Sequence, residues 1–154
     1  MNLKKKYALA GLVLASSVAA AIAVVPANAE QRGGHRVVLG SKDFAPYGKG
    51  FGHVKPEKIF NGGTVTGLVK SIRWRHWGDP ISKGRGRGYQ YRPGGGIYRR
   101  TVKVKLRARK LGECPGENRH AYKQLEAKFQ ERPGGKFGGW FSWAGSGSIC
   151  SFEL

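Results

Sequence analysis

The chain has 154 residues and carries 28 Lys and Arg against 9 Asp and Glu, a formal net charge of +19. So basic a balance excludes cationic partners and favours nucleic acid, anionic wall polymers and anionic lipid headgroups. With 2 Cys, it is neither a disulfide-dense scaffold nor a C-x-x-C zinc protein.

The N-terminus reads as an export leader. Lys4, Lys5 and Lys6 form a positive region, and Ala8 to Val25 carries no charge. Pro26-Ala27-Asn28-Ala29 follows, with small Ala27 and Ala29 at the −3 and −1 positions of an A-x-A cleavage site. Residues 1–29 are therefore expected to be a signal peptide. The apolar run approaches the roughly 20 residues a bilayer span needs, but Pro26 and the cleavage signature mark a processed leader. No twin-Arg pair precedes the run, no Cys stands at the cleavage site and no second apolar segment follows. General secretion without a stable membrane anchor is the expectation. Cleavage removes three Lys and no acid, which takes the charge from +19 to +16.

Residues 30–50 are rich in Gly and charge and read as a flexible basic N-terminal arm, with a short strand allowed at Arg36 to Leu39. A single domain is expected over 51–154. In Thr64 to Trp77, Leu68, Ile72 and Trp74 share one strand face, and Arg73 and Arg75 share the other. Ile81 to Arg92 reads as a Gly-weakened strand or hairpin. Within it, Lys83, Arg85 and Arg87, spaced by Gly84, Gly86 and Gly88, form a flexible basic loop ahead of Tyr89 and Tyr91. Thr101 to Arg109 has the clearest pattern. Val102, Val104, Leu106 and Ala108 are apolar, and Lys103, Lys105, Arg107 and Arg109 are basic, which is a strand with one buried and one wet face. Residues 119–131 fit two patterns. Ala121, Leu125, Ala127 and Phe129 make a strand face, and Tyr122, Leu125, Glu126 and Phe129 make a helix stripe. The β-like flanks favour strand. Gly139 to Glu153 is expected to supply a closing strand or two.

Turn signals separate these runs at Asn61-Gly62-Gly63, Gly78-Asp79-Pro80, Pro93-Gly94-Gly95-Gly96, Cys114-Pro115-Gly116 and Pro133-Gly134-Gly135. Their spacing predicts an all-β fold, a small antiparallel sandwich or open barrel. Cys114 and Cys150 are predicted to form one disulfide, since an even pair in an exported chain most simply does so. Loop closure of that size contributes about 3–4 kcal/mol in the chain-entropy model. Metal ligation and a reactive thiol are the rival readings.

A search for chemistry yields little. His76 and Asp79 are near neighbours, and a His–carboxylate pair suits a general base with its orienter. It equally suits a rim histidine beside a Gly-Asp-Pro turn. His53 and Glu57 are separated by helix-breaking Pro56. Ala144-Gly145-Ser146-Gly147-Ser148 lacks the first Gly of G-x-S-x-G. No acidic loop offers a calcium site. No catalytic residue, metal or cofactor is assigned.

Binding is where the residues point. Lys103, Lys105, Arg107 and Arg109 recur at about 6.6–6.8 Å along a strand, close to the phosphate spacing of an extended polyanion. Arg73 and Arg75 suggest a parallel row. Tyr89 and Tyr91 are candidate stacking rings beside Lys83, Arg85 and Arg87. The competing reading is that the charge serves solubility and guards strand edges. Trp74, Trp77, Trp140 and Trp143 read as core rather than as a platform.

The stretch from Phe51 to Gly88 carries Ile59-Phe60-Asn61-Gly62-Gly63, Thr66-Gly67-Leu68-Val69, Trp74-x-x-Trp77-Gly78-x-Pro80 and Gly84-x-Gly86-x-Gly88. With Pro93-Gly94-Gly95-Gly96, it resembles a group of small secreted actinobacterial proteins over about half of the expected mature chain. The resemblance implies an exported single domain and brings no catalytic residues. The sequence therefore leads to a secreted, non-catalytic binder of extracellular anionic polymers or anionic surfaces. A secreted hydrolase using His76 and Asp79, and a protein-directed inhibitor or toxin module, stay open beside it.

Overall fold

The computed structural model describes residues 37–45, 47–144 and 147–150. The leader expected over 1–29 and the first residues of the expected arm lie outside the described residues. β1 spans Val38–Leu39, β2 Ile59–Phe60, β3 Leu68–Arg75, β4 Ile81–Gly88, β5 Val102–Glu113, β6 His120–Phe129 and β7 Phe141–Ser142. They form one curled sheet, a half-barrel, in the order β1-β6-β5-β4-β3-β2, with β7 also on β6. The fold is all-β, and its barrel form is the open one. One sheet curls around its own core, and among the described residues no second sheet packs on it.

The pairings are antiparallel except that of β1 with β6, which is parallel. Short turns join β3 to β4 and β5 to β6, and such hairpins can only be antiparallel. β1 is far from β6 in sequence, so no hairpin sets its direction.

Of the expected flexible arm, residues 37–45 and 47–50 are described, and they pack into the domain. Val38 and Leu39 are fully buried. Leu39 N donates to His53 O at 3.0 Å, and Gly52 N donates to Leu39 O at 2.8 Å. Composition concealed this, because two apolar residues suffice when they complete the edge of an existing strand.

The core lines the inner face. Val102, Val104, Leu106 and Ala108 of β5 meet Leu125, Ala127 and Phe129 of β6, with Val69 and Ile72 from β3. Leu39, Phe51, Trp143 and Ile149 close over them. Burying one such side chain is worth about 1.5–3 kcal/mol. The strand reading of 119–131 holds over His120–Phe129.

Two strands depart from simple alternation. Between Lys70 and Arg73 the β3–β4 register shifts, and Ser71 takes φ 54°. This bulge puts Val69, rather than Leu68, on the inner face with Ile72 and Trp74. Bulges re-aim the side chains that follow them. In β5, Lys110 takes φ 56°, and Leu111 beyond it packs against the core.

β4 is a regular eight-residue strand in the middle of the sheet, not a flexible loop. Its glycines face inward and make room for neighbours. A Cβ on Gly86 would meet Val69 Cγ1 at 2.8 Å, and one on Gly88 would meet Phe129 Cε1 at 2.8 Å. The missing side chains let β3, β5 and β6 fill the concave space above β4.

Cys114 and Cys150 form the disulfide, with Cα atoms 5.0 Å apart. With Val38 and Ala121 they make a second small buried cluster. Of the closing strands expected over 139–153, β7 alone forms among the described residues.

Candidate functional site

Alternation sends the basic residues between the core positions of β3 to β6 outward. The Ser71 bulge is decisive on β3. Unbroken alternation from Lys70 would turn Ile72 and Trp74 outward, whereas the bulge turns Arg73 and Arg75 out instead. The outer face then reads across the sheet in rows. Lys70 pairs with Arg87, and Arg87 with Lys103. Arg73 pairs with Arg85, Arg85 with Lys105, and Lys105 with Lys128. Arg75 pairs with Lys83, Lys83 with Arg107, and Arg107 with Glu126. Neighbouring strands lie about 4.8 Å apart and outward positions repeat at about 6.7 Å along each strand. The expected ladder on β5, the row on β3 and the basic run on β4 are thus one continuous basic surface.

Like charges directly opposite one another destabilise a sheet. Here they stand opposite across three pairs of strands. Among the described residues, Glu126 is the carboxylate that enters this face. It bridges Arg107 Nε and, at 3.2 Å, Arg109 Nη1. Burial alone would raise the Glu126 carboxyl, but the hydrogen bonds and charges of Arg107 and Arg109 outweigh it and hold its pKa below the usual carboxylate range. The far end of the β5 ladder is therefore partly neutralised, with one carboxylate shared by two guanidinium groups. The row Arg73, Arg85, Lys105 and Lys128 has no ion pair among the described residues.

Aromatic rings sit among these cations. The segment after β6 folds Phe137 and Trp140 back onto the outer face. Lys105 Nζ lies 4.5 Å from the Phe137 centroid, and Arg107 Cζ lies 4.2 Å from that of Trp140. Lys128 Nζ reaches both rings, at 5.8 and 5.0 Å. Of the stacking candidates, Tyr89 lies under Lys70 Nζ at 5.6 Å. Tyr91 is elsewhere. Its hydroxyl donates to Thr64 Oγ1 at 3.3 Å, and it lines a neutral cleft of about 370 Å³ with Asn61, Gln90, Phe129 and Trp143. A second cleft, of about 440 Å³, ends the basic face, where Arg87, Lys103 and Arg100 meet Gln130.

The remaining tryptophans pack in or against the core. Trp74 Nε1 donates to Pro56 O and Trp77 Nε1 to Val37 O, each at 2.9 Å. Trp143 is buried. Trp140 departs from the expected core role.

Lys70, Arg100, Lys128 and Phe137 were not singled out by the sequence, and Glu126 and Trp140 carried other readings there, a helix stripe and the core. Lys128 had a signal, since it alternates with Ala127 and Phe129. Lys70 was hidden by the bulge, and the two rings by a loop whose path has no periodicity.

His76 Nδ1 lies 3.6 Å from Asp79 Oδ2, with both side chains more than 60% exposed. They stand in the β3–β4 turn, which Tyr122 holds from below. Gly78 N donates to the Tyr122 hydroxyl at 2.8 Å, and that hydroxyl donates to Asp79 O at 2.7 Å. Among the described residues no three His, Cys, Asp or Glu side chains cluster as metal ligands, and no helix is long and apolar enough to cross a membrane.

Fold and site together define a small disulfide-linked β half-barrel with a basic outer face. No family model, curated protein or solved structure matches the chain.

Proposed function

We propose that the protein is an exported, non-catalytic binder of anionic polymers, and that the outer face of β3 to β6 is its binding surface. One observation carries this reading: the row Arg73, Arg85, Lys105 and Lys128, four cations in direct cross-strand register with no ion pair among the described residues. Solubility alone is served by scattered charge of both signs, and a single-sign grid sacrifices stability for a field that a bound polyanion relieves. The disulfide and the leader-like N-terminus support export, and the resemblance to small secreted actinobacterial proteins agrees with it.

The test is a filter-binding titration of duplex DNA from low to moderate salt. The variant Arg73→Gln/Arg85→Gln/Lys105→Gln/Lys128→Gln is compared with a charge-matched control, Lys42→Gln/Lys55→Gln/Lys58→Gln/Arg92→Gln. Each phosphate contact contributes about −0.9 to the logarithmic salt slope. The row variant should flatten the slope by up to about three to four units, and the control by much less. Equal slopes in equally folded proteins would remove the face from any binding role.

A further inference from the structure

Resting on that reading, we propose that the basic face takes a nucleic acid strand with unpaired bases, and that Phe137 and Trp140 are its stacking platforms. A bare cation grid binds any polyanion of matching charge density. Rings placed among the cations add little toward a polyanion with no ring faces, such as polyphosphate, and a flat base covers a ring more completely than a sugar does. They also add little toward a duplex, whose bases are already stacked and lie behind the phosphates. An unpaired strand offers both a phosphate chain for the grid and flat bases for the rings.

The two rings are positioned for this. Trp140 is not a core residue, for it keeps 37% of its surface exposed. Its orientation is set by a relay: Glu126 holds the Arg107 guanidinium, and that guanidinium lies 4.2 Å from the Trp140 centroid. Phe137 is placed by Lys105 at 4.5 Å, and Lys128 stands between the two rings. Lys105 and Lys128 are also members of the row that has no ion pair among the described residues. A base on either ring therefore sits within one side chain's reach of a cation suited to its phosphate.

The experiment uses four probes compared at equal total phosphate concentration: a single-stranded oligonucleotide of about twelve residues, its abasic counterpart, the same sequence as duplex, and linear inorganic polyphosphate. The parent should bind the single strand more tightly than the abasic chain, with quenching of tryptophan fluorescence. Phe137→Leu/Trp140→Leu keeps every cation and should lose on the order of tenfold on the single strand, with little change on abasic chain or polyphosphate. Trp140→Phe should recover part of that loss. Equal binding of base-bearing and abasic strands by the parent would overturn the proposal, whatever the variants do. So would a preference for the duplex. Failure of all four probes to bind would instead remove the polyanion reading itself.

Discussion

Arg73 and Arg85 face each other directly across β3 and β4, and no carboxylate bridges either of them among the described residues. Two guanidinium groups in that relation repel. A fold that keeps them pays in stability for a surface property. Arg85 carries the larger burden, because Lys105 stands opposite it on the other side.

Arg85→Gln is therefore expected to stabilise the free protein. Relief of a like-charged cross-strand neighbour is worth about 0.2–1 kcal/mol, and the gain should shrink as added salt screens the parent's repulsion. Urea unfolding at two salt concentrations checks this, and polyanion affinity should fall in the same variant. A loss of stability at low salt would show that Arg85 has a favourable partner.

Glu126→Gln should act in the opposite sense on binding. It frees Arg107 and Arg109 and removes one negative charge, so the salt slope should steepen while stability drops by about 1 kcal/mol. The folded-state pKa of Glu126 is depressed, so the contribution of the bridge is complete above the unfolded value of 4.5 and is lost as pH falls through the lower folded value. Acid unfolding of the parent should include this loss, and that of the variant should not.

Gly86→Val tests the inward glycines. A Cβ there meets Val69 Cγ1 at 2.8 Å and Lys70 O at 3.0 Å. Overpacking of this kind costs about 1–3 kcal/mol, although valine is ordinarily the better strand residue. Gly139→Ala is the control, because nothing lies within 4 Å of its Cβ and its stability should change little. Thermal unfolding of both variants makes the comparison.

Tyr122→Phe removes the hydroxyl that ties Gly78 and Asp79. The expected cost is about 1–3 kcal/mol, with Gly78 N–H left without its acceptor. Burial raises the Tyr122 pKa above 10.0, so its stabilising contribution holds below pH 10.0 and is lost as pH rises through the folded value. Phenolate absorbance in the folded parent should include one late-titrating tyrosine that Tyr122→Phe lacks.

Cys114→Ser should cost about 2–5 kcal/mol, read from denaturant midpoints. A fall of under 1 kcal/mol would mean that the Val38, Ala121, Cys114 and Cys150 cluster holds the edge without the covalent link.

The strict alternation of Thr101 to Arg109 determined β5 and the orientation of its cations, because successive side chains on a strand must point to opposite faces. The same rule made Ala121, Leu125, Ala127 and Phe129 legible as one face of β6, and the lone pair of cysteines made the disulfide legible. Tertiary structure alone decided which strands lie side by side, and hence that Arg73, Arg85, Lys105 and Lys128 form one row, since cross-strand register is a long-range relation that no local pattern encodes. It also decided the side of β3 on which Lys70 falls. One bulged residue, Ser71, reverses the alternation, and serine has no chemistry that announces a positive φ. The inward glycines of β4 looked like flexibility because their purpose lies in the bulk of Val69, Ile72, Trp74 and Phe129. The return of Phe137 and Trp140 onto the cations depends on a loop path, which is set by what the loop lands on and not by any period within it.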